Sequence, residues 1–286
     1  MTNYFSGFIY DDGLKKKYFQ DMKPYTEEKY DIVFISTIGE YFDLQVFAEG
    51  FKNIKSVCIE KAGTTSDGEY FFLISPKIGE TMETEEDYEK YEVGFSIGSD
   101  LRDYHNTAPV LKMSPWPKEY ETKINHIFHE YGIQKYRGAE DYIILDVLNQ
   151  TKHLLKDREN IQHILYKDLE TITVGKNGKY NPLKDAYLSL SDPYYVFHNI
   201  NQTGIKSGAY GAGLIDGYFK GDTPNLFFKY LAMYTLTDAL YGVISEKKSL
   251  PEHDFKKVMK EMKSYYGDFS EIIPGWYKRS RNKLLY

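Results

Sequence analysis

The chain has one cysteine, Cys58, so no intrachain disulfide can form, and a reducing compartment fits. Cys58 sits in the apolar run Ser56-Val57-Cys58-Ile59, where it is expected as a small buried hydrophobe. No uninterrupted apolar stretch is long enough for a membrane span. The most apolar segment, 226–244, is broken by Lys229 and Asp238 and reads as a buried helix. The N-terminus has no basic region followed by an apolar one, so no signal peptide is expected and the location is read as cytoplasmic. There is no Gly/Ser- or Pro-rich linker and no 20–50-residue repeat. No whole-chain basic field exists: the net charge is −6, which argues against direct nucleic-acid or membrane binding.

What is present is aromatic and locally acidic. Twenty-eight Tyr and 17 Phe bring the aromatic share, with Trp, to 16%. Either base composition of an AT-rich genome, such as some phages carry, or a protein-binding surface accounts for that. Residues 80–104 carry nine acids and two bases, a charge of −7, against +1 for the remainder. The opposite pole is the C-terminus, with Lys278, Arg279, Arg281 and Lys283 and no acid among them.

The pattern predicts an α+β or α/β fold in two parts packed together without a flexible linker. Residues 1–115 read as a β-rich part with a small mixed sheet, and 116–286 as helical. Strands are expected near 31–37, 54–59, 70–74 and 91–97, with a helix at 41–51 completing a βαβ unit. Helices are expected at 117–131, from about 140 to 169, from 223, and after the Ser249-Leu250-Pro251-Glu252 capping box. Residues 171–223 read as irregular.

Several clusters could carry chemistry, and each has a plainer reading. His126 and His129 with Glu130 lie one turn apart, but H-x-x-H-E is not the zinc-protease pattern; an exposed polar helix face is favoured, and no metal is assigned. The Gly-rich segment 203–213, with Lys206, Ser207 and Gly208, could cradle a phosphate, yet matches neither the P-loop nor the dinucleotide motif. His198 with Asp192 and Asp216 could supply acid/base groups, although no spacing selects a nucleophile. The turn after Thr37, lined by Glu40, Tyr41 and Asp43, could hold a nucleotide-like ligand.

With no recognisable catalytic constellation and no cofactor motif, the sequence favours a non-catalytic interaction protein. It would dock a partner with a basic surface through Glu83, Glu85, Glu86, Asp87, Tyr88, Glu89 and Tyr91, as a phage-type inhibitor of a defence nuclease would. Self-association of that segment with the basic C-terminus is the other partner reading. The alternative function is an enzyme or sensor for a nucleotide-like small molecule, bound at Glu40 or at Lys206, Ser207 and Gly208.

Overall fold

The computed structural model describes residues 30–35, 61–64, 71–76, 86–108, 110–111, 114–138, 141–172, 174–180, 186–269 and 271–285. The fold is α+β. Strands β1 (Tyr30–Ile35), β2 (Lys61–Thr64) and β3 (Phe71–Pro76) form a sheet of order β1-β3-β2, with both pairings antiparallel. The expected helix at 41–51 and strand at 54–59, Cys58 with it, lie outside the described residues.

Helix α1 (Asp87–Thr107) follows, then β4 (Val110–Leu111), α2 (Trp116–Ile133), α3 (Asp141–Thr151), β5 (Asn160–Tyr166) and β6 (Ala186–Ser191). The three strands make a second sheet of order β4-β5-β6. Helices α4 (Ile200–Lys206), α5 (Gly208–Phe219), α6 (Asn225–Lys247), α7 (Glu252–Tyr266) and α8 (Gly275–Leu285) complete the chain. Two compact units result: one gathers 1–85, 100–108 and 163–189, the other 86–99, 109–162 and 190–286.

In the second unit α6 is central. Phe227, Tyr230, Tyr234, Leu236 and Leu240 are buried on several sides of it, so no amphipathic stripe is left. Trp116, Tyr120, Ile124 and Ile127 of α2 and Ile144 and Leu148 of α3 join it in one core. Helix α7 contributes Phe255, Val258, Met259, Met262 and Tyr266, the stripe the sequence predicts, and Gly267 ends it at φ 64°. Its expected capping box is not made: Pro251 is the N-cap, and Ser249 Oγ donates to Lys247 O.

Three expectations are corrected. Residues 91–97 are helix, not strand. Tyr91, Val93, Phe95 and Ile97 alternate, but the buried set is Gly94, Ile97, Gly98 and Leu101, a helical spacing whose small members conceal it. Residues 160–166 are strand rather than the end of a long helix. They are buried on both faces, and an apolar run of that length carries no period. Residues 203–213 are helical, not an irregular connection.

Glycine explains the third correction. A Cβ on Gly213 would overlap the Tyr91 carbonyl oxygen, and one on Gly217 that of Phe95. Reciprocally, a Cβ on Gly94 would overlap Tyr210 O, and one on Gly98 would overlap Leu214 O. Helices α1 and α5 thus touch backbone to backbone, and the packing offsets the roughly 1 kcal/mol each glycine costs a helix. Gly217→Ala is expected to destabilise by about 1–3 kcal/mol or more. Gly242→Ala, where a Cβ meets nothing within 4 Å, should instead stabilise by up to about 1 kcal/mol. Urea unfolding of the two variants checks the contrast.

Candidate functional site

From Asp87 onward the acidic segment is helix α1. Glu86 is exposed just before α1, and Asp87, Tyr88 and Glu89 are exposed in its first turn, where carboxylates complement the positive helix end. Glu83 and Glu85 lie outside the described residues. Tyr91 turns inward and donates to Asp216 Oδ2 at 3.0 Å. Burial, then the Asp216 charge and hydrogen bond, push the Tyr91 phenol up. Asp216, 1% exposed on α5, also accepts from Tyr277 of α8 and pairs with Arg281 Nε at 3.2 Å. One buried carboxylate therefore ties the start of α1 to the basic C-terminal helix through α5.

Asp192, Asp216 and His198 do not assemble into one acid/base cluster. Asp192 is fully buried; it takes Arg158 Nε at 2.5 Å and Nη2 at 2.8 Å, and it accepts from Tyr234 Oη at 2.8 Å. The Arg158 guanidinium also lies 3.8 Å from the Tyr194 ring centroid. His198 stacks on Tyr195, with Nδ1 3.0 Å from that residue's carbonyl oxygen. Burial lowers the His198 pKa, and only partly do Asp238 and the carbonyl bond restore it. Asp192, Asp216 and His198 are each committed to separate partners.

The two histidines of α2 are exposed, their rings stacked 6.3 Å apart, whereas Glu130 is turned inward. Among the described residues no three His, Cys, Asp or Glu side chains gather as a metal set. Glu40 lies outside the described residues. Of the Gly-rich candidates, Lys206 is exposed at the end of α4 and Ser207 N–H donates to Thr203 O at 2.8 Å. Gly208 begins α5 and lines a cleft with Gly204, Ala209, Trp276, Arg279 and Lys283.

The sequence reading missed Asp168. Strand β5 ends in the buried Tyr166, and Asp168 follows, half-buried, its Oδ1 accepting from Glu170 N–H at 3.0 Å. A short 3-10 turn (Leu169–Thr171) and the antiparallel bridge Val174–Tyr180 come next. The signal was an aspartate just after a short apolar run, which was absorbed into the expected helix.

In the same unit Asp100 accepts from Tyr180 Oη at 3.2 Å. Burial raises the Asp100 pKa to about 6, with a smaller upward push from Asp103 and a downward pull from the Tyr180 bond. His105 packs edge-on to His163 at 4.9 Å, and burial, then His163, hold its pKa well below the usual value. The two shifts act oppositely on stability. A raised carboxyl pKa gives stability that is full below the unfolded value and lost as pH rises through about 6. A lowered histidine pKa gives stability that is present above about 6.5 and lost as pH falls. Asp100→Asn keeps the acceptor and removes the charge. It should raise the melting temperature more at about pH 8 than at about pH 4.5. An equal gain at both values would mean that Asp100 stays ionised throughout.

No protein-family model matches the chain, and no curated protein matches it in sequence. Solved structures do. A choline/ethanolamine kinase family protein from Mesorhizobium loti superposes with a TM-score of 0.53 at 13% identity, covering 90% of this chain and 83% of that one. An aminoglycoside phosphotransferase from Alicyclobacillus acidocaldarius gives 0.47 at 6% identity over 89% of this chain and 87% of that one. A choline kinase from Streptococcus pneumoniae gives 0.45 at 15%, over 84% and 88%. The first likeness shows a shared fold across most of both chains. It overturns the expectation of a non-catalytic inhibitor docking through its acidic segment. Of the expected docking residues, Asp87 and Glu89 lie in the first turn of α1 and Tyr91 bonds inward to Asp216.

Proposed function

We propose that the protein is a phosphotransferase that moves the γ-phosphoryl group of a nucleoside triphosphate onto a small hydroxyl-bearing acceptor. The observation that carries the reading is Asp168, held at the end of β5 by its bond to Glu170 N–H, in a fold shared with a kinase family protein. The kinase catalytic loop places an aspartate two residues after a histidine and an asparagine five residues after the aspartate. Here the order is Tyr166-Lys167-Asp168, then Thr173. Tyrosine and threonine depart from the pattern. A further carboxylate, Asp185, precedes β6 in sequence; Thr173 and Asp185 lie outside the described residues.

In this reading Asp168 orients the acceptor hydroxyl and takes its proton as the acceptor oxygen bonds to the γ-phosphorus. The bond from that phosphorus to the β-bridging oxygen breaks, and the nucleoside diphosphate leaves. The Asx turn at Glu170 fixes the carboxylate, so orientation costs nothing at the moment of reaction. Choline and ethanolamine are the first acceptors to try, because the protein sharing the fold is described as a kinase of that family. The test is acceptor-dependent conversion of ATP to ADP, with choline, ethanolamine and other small alcohols offered in turn. ATP consumption that no acceptor stimulates would count against transfer.

A further inference from the structure

We infer that the cleft between the α4–α5 junction and α8, about 260 Å³, is a binding site for a small phosphate ester. Its walls are fixed by packing. The Trp276 indole lies against Gly204, where a side chain would collide with the ring, and close to Gly211, where one would be crowded, and its Nε1 donates to Asn201 Oδ1 at 2.9 Å. Ser280 Oγ donates to Trp276 O at 2.9 Å and sits against Gly208, which has no Cβ to displace it.

The charge of the cleft then needs an explanation. Helix α8 contains no acid. Two of its cations are internally paired, Lys278 with Glu271 and Arg281 with Asp216. Arg279 and Lys283 have no ion-pair partner among the described residues, stand one turn apart, and both line the cleft. Like charges at that spacing repel, and an anion between them would reverse the sign of the interaction. A guanidinium fork beside an ammonium suits a phosphate dianion, with geometry from the arginine and charge from the lysine. The first turn of α5, entering at Gly208 and Ala209, adds to the same positive potential. Asp87 is the one acid on the lining, which leaves an acceptor for the hydroxyl groups of an ester.

This inference stands apart from the phosphotransfer reading, since none of its residues belongs to the Asp168 loop. Inorganic phosphate and glycerol phosphate are titrated into the full chain at constant ionic strength, followed by calorimetry. Both are expected to bind saturably. The Arg279→Gln/Lys283→Gln double variant should bind each at least about tenfold more weakly, because two charge-assisted contacts are lost. Lys278→Gln on the same helix should bind as the parent does. Arg279 and Lys283 are exposed, so the double variant should melt as the parent does without phosphate. A non-saturable response, or equal affinity in the double variant, overturns the site.

Discussion

Asp168→Asn is expected to lower acceptor-dependent phosphoryl transfer by about 10²–10⁴-fold while leaving the fold intact. Asparagine keeps an oxygen that can accept the Glu170 N–H, so the turn after β5 persists. What disappears is the negative charge and the capacity to take a proton. The loss should therefore fall on kcat, with nucleotide binding and melting temperature close to the parent values. Asp168→Ala removes the Asx bond as well, and should add about 0.5–1.5 kcal/mol of instability to the same catalytic loss. Equal activity of parent and Asp168→Asn would move the reaction to another residue. Steady-state kinetics beside thermal melting separates these outcomes.

The largest stability effect is expected at Asp192. This carboxylate is fully buried and accepts from Arg158 Nε and Nη2, the Tyr234 hydroxyl and the Tyr194 N–H. Asp192→Ala would leave the guanidinium, only 19% exposed, against the Tyr194 and Tyr230 rings with no counter-charge. Removing one partner of such a pair costs about 3–5 kcal/mol. At about 2–4 °C per kcal/mol for a large domain, the melting temperature should fall by on the order of 10 °C. Asp192→Asn retains acceptor oxygen and should lose less. Pairing Asp192→Ala with Arg158→Met should recover part of the loss, because the orphaned cation is then gone as well. A full loss that Arg158→Met leaves unrelieved would place the cost in the Tyr194 and Tyr234 hydrogen bonds instead.

How far the fold could be read from sequence depended on which residues face inward. Helix α7 was legible because Phe255, Val258, Met259, Met262 and Tyr266 are large and recur at helical spacing, with polar residues opposite. Helices α1 and α5 were not, because their contact faces are glycines, which propensity reads as loop and which pack only because the partner also lacks side chains. Strand β5 was hidden by burial on both sides, which erases the alternation that marks a half-exposed strand. The cleft residues Gly208 and Ala209 lay inside the Gly-rich segment singled out from sequence. Arg279 and Lys283 were visible only as basic composition, and their approach to Gly208 is a consequence of Trp276 docking on Gly204. Asp168 was missed through the same error as β5, and no complete catalytic motif surrounds it in the sequence to correct it.

Phosphoryl transfer can be followed by ³¹P NMR of the full chain with magnesium ATP and the acceptor panel. The γ-phosphate signal should decline in at least one arm as an equal phosphoester signal grows, and neither change should occur with Asp168→Asn. ATP left intact in every arm, or converted to free phosphate equally by the parent and Asp168→Asn, would contradict it.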